Sequence, residues 1–181
     1  VYVCSQDGAD YLKKNYAEYA DRFTCGYLGT EEYGWHRNDN RDNGFVVISC
    51  ARIEPVKRVE LLVKALQRID DIKICWIHFG DGSCRSIVES EIEKLPVNII
   101  AEMHGTTEHK DVMKYYQDNA VGLFVNTSSS EGLPVSIMEV MSFGTPVIAT
   151  DVGGTREIVS DDVGSLINKS FDVDYLADLI R

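Results

Sequence analysis

From Phe45 onward, short apolar runs alternate with longer amphipathic ones, and that alternation leaves very few folds open. Phe45-Val46-Val47-Ile48-Ser49-Cys50 is a continuous β-branched and aromatic run, as expected of a strand covered on both faces. Val59, Leu62, Val63, Leu66 and Ile69 then recur at helical spacing. The same reading predicts strands over Ile72–Phe79, Val97–Ala101, Val121–Asn126, Pro146–Ala149 and Gly164–Ile167. Helices are expected over Arg85–Lys94, Lys110–Asp118, Pro134–Ser142, Thr155–Ser160 and from Asp172 to Arg181. Alternation at this spacing implies an α/β fold: a parallel, Rossmann-like sheet with right-handed crossovers and helices on both faces. The unit is expected to cover residues 45–181.

Residues 1–44 differ. A strand at Val1–Cys4 precedes a helix with Leu12, Tyr16 and Tyr19 on one side, then a strand-like run from Phe23 to Leu28. Glu31 to Gly44 is rich in Asn, Asp and Gly and reads as a loop. The opening Val1-Tyr2-Val3-Cys4-Ser5 lacks the basic flank and long apolar core of a secretion signal. It reads as a buried strand, as though the chain began mid-fold, which is the expectation for a piece of a larger protein.

Lys and Arg number 18 against 29 Asp and Glu, a net charge of −11. Such a surface repels phosphate backbones and argues against nucleic acid as a partner, while leaving room for a local basic pocket. No apolar run approaches the ~18 residues that span a bilayer. Cys4, Cys25, Cys50, Cys75 and Cys84 are odd in number and never spaced Cys-x-x-Cys, so neither zinc nor a disulfide framework is suggested. Buried thiols in a reducing cytoplasm are the expectation.

In open parallel sheets, ligands bind beyond the carboxyl ends of the strands. Arg52, Lys57 and Arg58 follow the first core strand, the last two opening a helix, where a cation opposes the helix dipole. A bound anion would resolve the conflict; a solvated turn paired with Glu54 or Glu60 is the alternative. Gly80-Asp81-Gly82 permits a tight turn, but Arg85 stands where the dinucleotide fingerprint needs its last glycine. The most informative segment runs from Ser128 to Gly154. There Glu131-Gly132-Leu133 precedes Pro134, which suits the first turn of a helix, and the free N–H groups could cradle an anion or hydroxyl. Val135, Ile137, Met138, Val140 and Met141 leave that helix almost no polar face, so it is expected to be buried. Glu139 then sits in apolar company and needs a partner. Ribose hydroxyls, an internal Arg or a backbone N–H would each serve.

Glu131 and Glu139 within Glu-Gly-Leu-Pro, followed by Gly144-Thr145-Pro146-Val147-Ile148-Ala149-Thr150 and Gly153-Gly154, resemble glycosyltransferase family 4. The resemblance spans about residues 45 to 167. It implies the carboxy-terminal half of a two-domain GT-B fold and retaining transfer of a hexose from a nucleotide sugar without a metal or other cofactor. Position by position, Arg52 and Lys57 would bind the donor diphosphate and stabilise its developing charge. Glu131 would hold the transferred sugar, Glu139 the ribose, and the backbone at Gly132, Leu133 and Pro134 the sugar and phosphate. Gly80 would let the donor approach its strand end, and the loop at His104-Gly105-Thr106 would lie near the base. Val140 departs from the Ala common in the family.

The family's amino-terminal domain is missing, except that residues 1 to 30 resemble its final strand and helix; residues 1–44 would then end that domain and connect the two. The implied partners are a UDP-, GDP- or ADP-linked sugar, a saccharide or glycolipid acceptor, and the missing domain. The expected location is the cytoplasm, peripheral to the inner membrane face in the full-length protein. A noncatalytic nucleotide-sugar-binding module and an epimerase of the same architecture stay open as alternatives. His36, His78, His104 and His109 show no ligand spacing, so no metal site is expected. Ser128-Ser129-Ser130 reads as a hydrogen-bonded loop and Tyr115-Tyr116 as helix packing.

Overall fold

The structure is a computed structural model that describes residues 1–33 and 44–181. Most of the Glu31–Gly44 loop reading, and His36 with it, lies outside the described residues. Six parallel strands form the main sheet: β3 (Phe45–Cys50), β4 (Ile74–Phe79), β5 (Ile99–Gly105), β6 (Leu123–Asn126), β7 (Val147–Thr150) and β8 (Gly164–Ile167). Their spatial order is β5-β4-β3-β6-β7-β8. The chain winds outward from β3 in one direction, returns, and winds out in the other, so the order reverses between β3 and β6. A ligand crevice opens at such a switch point.

Both faces are covered. Helices α2 (Val59–Leu66), α3 (Arg85–Ile92) and α6 (Val173–Ile180) close one side over Val47, Trp76, Val125 and Ile148. Helices α4 (His109–Asp118) and α5 (Val135–Met141) close the other over Ile48, Ile77, Phe124 and Ala149. Strands β4, β6 and β7 are buried along their whole length and β3 from Val47 to Ser49, which is why they read as continuous apolar runs. Burying side chains such as Ile48, Trp76 and Phe124 contributes roughly 2–3 kcal/mol apiece. Tyr116 packs beneath α4 and meets the Phe79 and Phe143 rings edge-on, as the helix-packing reading expects.

Several boundaries move. The strand expected at Val97–Ala101 is β5, Ile99–Gly105. It is an edge strand whose outward residues, Glu102 and His104, alternate with Ala101 and Met103, so its second half carries no apolar run. The short helix expected at Thr155–Ser160 is a 3-10 turn over Gly153–Glu157. Helix α5 is not buried all round: Ile137 and Val140 face the sheet, whereas Val135 is 40% exposed. Among the cysteines, all free, Cys75 is buried; the other four are partly buried at strand ends and loops.

Residues 1–33 form a separate piece. Strand β1 (Tyr2–Val3) pairs in parallel with β2 (Thr24–Cys25), shorter than the run read from Phe23 to Leu28, as a two-stranded sheet. The expectation of a buried first strand is wrong: Tyr2 is 82% exposed, because the following helix packs against Val3 and leaves the Tyr2 side open. Helix α1 (Gln6–Asn15) buries Ala9 and ends before Tyr16, its cap, and Tyr19, on a following 3-10 turn (Ala17–Arg22); both are exposed instead of sharing a helical face with Leu12. The piece is joined to the main unit through charge. Glu157 accepts the Gln6 and Asp7 N–H groups at 2.7 and 2.9 Å, capping α1 from outside together with Ser5. Burial pushes the Glu157 carboxyl up, but those two N–H groups and the Tyr27 hydroxyl outweigh it and leave it below the ordinary range. Tyr33 stacks on Phe143 at 4.8 Å.

Candidate functional site

The segment after β3 is held from both sides. Toward β4, the Ala51 N–H donates to the Phe79 carbonyl and the Ile53 N–H to that of Asp81, each at 3.0 Å. Gly80 has φ +139°, and a Cβ there would stand 1.9 Å from the Ala51 oxygen. At Gly82 it would stand 2.4 Å from the Ile53 oxygen. The glycines of this loop therefore admit a neighbouring backbone. Beneath them runs a buried chain of donors. Trp76 Nε1 donates to Ser49 Oγ at 3.0 Å, Ser49 Oγ meets His78 Nδ1 at 2.8 Å, and His78 Nε2 meets the Ala51 carbonyl at 3.1 Å. Neutral His78 satisfies all of it, donating from Nε2 and accepting at Nδ1. Burial lowers its pKa to about 4, despite the opposing bond to Ala51.

Toward β6, three side chains tie the turn to the loop after Asn126. Arg58 caps α2 in the left-handed region (φ 50°, ψ 39°), a conformation that costs roughly 1–2 kcal/mol. Its guanidinium donates to the carbonyls of Thr127 (2.7 Å), Lys169 (2.8 Å) and Ser128 (3.3 Å), which offsets the strain. Arg58 is thus a structural clamp, and the phosphate reading of this cation does not hold. Thr127 Oγ1 is within 3.0 Å of both the Lys57 and Arg58 carbonyls, and the Ser129 N–H donates to that of Val56 at 2.7 Å. The serine run is a hydrogen-bonded loop, as read from the sequence.

This double tie brings Lys57 and Glu131 together across the switch point. Lys57 Nζ lies 2.8 and 2.9 Å from the two carboxylate oxygens, and Asn126 Nδ2 adds a third donor at 3.2 Å. The Glu131 side chain is 9% exposed, so an unpaired charge there would be strongly disfavoured. The cation before α2 is answered by an internal anion. Glu131 is seated from behind by Gly153 (φ +53°), whose missing Cβ would lie 1.9 Å from the Glu131 carbonyl, and by the Gly154 N–H donating to the Gly132 carbonyl at 2.8 Å. Gly132 itself is exposed with open space around it; a Cβ would meet only Cys4 Sγ, at 3.8 Å. Nothing in the fold demands glycine at 132. Leu133 and Pro134 are buried behind it, Pro134 as the cap preceding α5, whose first turn has no side-chain cap.

Arg52 stands apart. Its side chain is 81% exposed and reaches Glu54 at 3.2 Å, the solvated pairing named as the alternative. Glu54 is itself bound by the Ser83 hydroxyl at 2.6 Å, which holds its carboxyl below the usual range. Glu139 finds a partner the sequence reading did not name: His109 Nε2, 2.8 Å from Oε1. Gly105, with φ +68°, ends β5 near the Asp81–Arg85 ion pair, which closes at 2.9 Å.

The structure therefore gathers Lys57, Glu131, Gly132, Leu133 and Pro134 at one crevice with Asn126, and pairs Glu139 with His109. Sequence reasoning missed Asn126 and His109. Asn126 carried a signal, as the polar end of a buried strand; His109 carried none, because its partner lies 30 residues away on another helix. Among the described residues, no three His, Cys, Asp or Glu side chains converge as a metal site would need.

The sequence profile of the family described as Glycosyl transferases group 1 matches residues 35–181. The sulfoquinovosyl transferase SQD2 of Arabidopsis thaliana is 32% identical over 117 residues, covering 65% of this chain and 21% of the relative. Among solved structures, the apo lipopolysaccharide outer core galactosyltransferase WaaB superposes with a TM-score of 0.81 at 21% identity, over 99% of this chain and 51% of that one. The Anabaena protein Alr3699/HepE in complex with UDP-glucose superposes at 0.81 and 24% identity, over 99% and 52%. These likenesses establish the α/β architecture of GT-B glycosyltransferases. The chain spans about half the length of these solved relatives and a fifth of the Arabidopsis one.

Proposed function

Because the chain belongs to the glycosyl transferases group 1 family, we propose that residues 45–181 are the donor-binding domain of a retaining, metal-independent hexosyltransferase of family 4. Residues 1–44 are assigned to the end of an amino-terminal domain and the connection to this one. The observation that carries the reading is the Lys57–Glu131 contact across the β3–β6 switch point. It sets a cation and a carboxylate at the place where a parallel sheet receives its ligand.

In this reading the nucleotide diphosphate enters beside Lys57, which exchanges Glu131 for a phosphate oxygen. Arg52, loosely paired and exposed, swings to the same anion. Both stabilise the charge that grows on the diphosphate as the sugar leaves, a role a divalent ion fills elsewhere. Glu131, freed from Lys57, accepts hydroxyls of the transferred sugar, and the open space at Gly132 admits it next to the uncapped N–H groups before α5. Glu139 accepts the ribose, and Gly105 borders the base. Gly80 is kept in the site only as the residue that shapes the Ala51 turn.

The HepE relative, solved in complex with UDP-glucose, favours a UDP-linked donor over a GDP- or ADP-linked one. The acceptor is a saccharide or glycolipid of surface polysaccharide assembly, brought in line by the other half of the protein, so this half alone binds without turnover. The reading places the protein in the cytoplasm, peripheral to the inner membrane face.

Calorimetric titration with UDP, GDP and ADP, without added metal, tests the assignment. Selective binding of one nucleotide, weakened at least tenfold in Lys57→Ala and Glu139→Ala, is the expected result. Binding that both substitutions leave unchanged would remove the donor site from this crevice.

A further inference from the structure

Glu139 projects from α5 among groups that cannot neutralise it. Its side chain is 14% exposed. Cys50, Tyr116 and Tyr33 face it from β3, α4 and the segment before residue 34. Burial pushes the Cys50 thiol up to about 11 and the Tyr116 hydroxyl well above its ordinary value, and Glu139's own charge acts in the same direction on both. The Tyr33 phenol is likewise raised by burial, with Glu31 and Glu139 adding to it. The Tyr116 hydroxyl is fully buried against the Cys50 thiol, with no well-formed hydrogen bond of its own.

One donor alone reaches the carboxylate among the described residues: His109 Nε2, at 2.8 Å from Oε1. His109 is 66% exposed and stands in the first turn of α4. Its bond fixes the rotation of the carboxylate. The other oxygen, Oε2, has no partner among the described residues and is not sealed from solvent. A carboxylate with one oxygen pinned and the other open is a preoriented acceptor; two free oxygens would have to be ordered by the ligand itself.

Resting on the donor-site reading above, we propose that His109 is a positioning residue: it pins Glu139 so that Oε2 meets the ribose hydroxyls of the nucleotide. The side chain acts through Glu139, so its loss should be felt by ligands that carry those hydroxyls and not by the diphosphate alone.

The test compares the nucleoside diphosphate that binds (UDP, GDP or ADP), its 2′,3′-dideoxy counterpart and inorganic pyrophosphate, on the wild type, His109→Ala, His109→Gln and Glu139→Ala. The wild type should prefer the ribose form about tenfold or more, the scale of a hydrogen bond to a charged group. His109→Ala should shrink that preference to about threefold with pyrophosphate affinity unchanged, and His109→Gln, which keeps an N–H donor, should restore most of it. A full preference in His109→Ala, or parallel weakening of all three ligands, overturns the positioning role. A wild type that binds none of the three nucleotides overturns the donor-site reading, and this inference with it. A preference lost in Glu139→Ala but intact in His109→Ala overturns this inference alone.

Discussion

The two walls of the crevice are built to different standards. The wall after β3 and β6, which carries Lys57 and Glu131, is tied by backbone pairing to β4, by the Ser49–His78–Ala51 chain, by Arg58 and Thr127, and by the Gly153–Gly154 seat. On the other wall α5 is packed on the sheet through Ile137 and Val140, but among the described residues the Glu139 carboxylate is held by a single side-chain bond, to an exposed histidine. The difference teaches where precision is needed. Lys57 and Glu131 are a nearly buried ion pair whose partners must not drift, since leaving either charge alone is costly. Glu139 faces the opening and needs only its rotation set.

The largest effect should come from filling the seat behind Glu131. Gly153→Ala forces a Cβ to within 1.9 Å of the Glu131 carbonyl at φ +53°. Urea unfolding should show a loss of about 4 kcal/mol or more. A loss under about 1 kcal/mol would mean that this wall is no more rigid than the other.

Next is the titration of His78. Its native pKa of about 4 lies below the ordinary 6.5, so the unfolded chain takes up the proton first as pH falls. The stability from this residue is complete above about pH 6.5 and is lost as pH drops through 4, by up to about 3 kcal/mol. Between pH 6.5 and 5.5 the decline should vanish in His78→Gln; carboxylates such as Glu54 and Glu157, held below their ordinary 4.5, enter below that window. A decline of the same slope in both proteins would contradict the role given to the buried chain.

Removing the clamp should cost less. Arg58→Ala strands the Thr127 carbonyl, while that of Ser128 keeps its bond from Thr150 Oγ1, and a loss of about 2 kcal/mol is expected in the same unfolding assay, beyond the strain common to both residues. At the open end of the scale, Gly132→Ala should change stability by no more than about 0.5 kcal/mol, because the new Cβ meets only Cys4 Sγ at 3.8 Å. Nucleotide binding should nonetheless weaken, measured by titration. Equal affinity in that variant would show that the space at Gly132 is not used by the ligand.

The same contrast marks what was legible in the sequence. Central strands buried on both faces announce themselves, so β3 was read to the residue and β4 to within two. The edge strand β5 was clipped, because alternation with Glu102 and His104 hides its second half. Glu131 and Glu139 stood out through their motif, and Lys57 through its place after a strand. Their partners did not: Lys57 meets Glu131 across 74 residues, and no local pattern encodes which carboxylate a cation will find. Gly80 was noticed for close approach, and the structure shows one visitor that the sequence reading did not name. That visitor is the Ala51 carbonyl, contributed by the adjacent strand.

Amide shift mapping of the 15N-labelled protein during titration with UDP, GDP and ADP bears most directly on the account. Shifts concentrated at residues 52–58, 131–139 and the start of α4, saturating with one nucleotide, are the predicted result. Shifts confined to β8, α6 or the exposed sheet of β1 and β2, or none with any nucleotide, would contradict a donor site at the β3–β6 switch point.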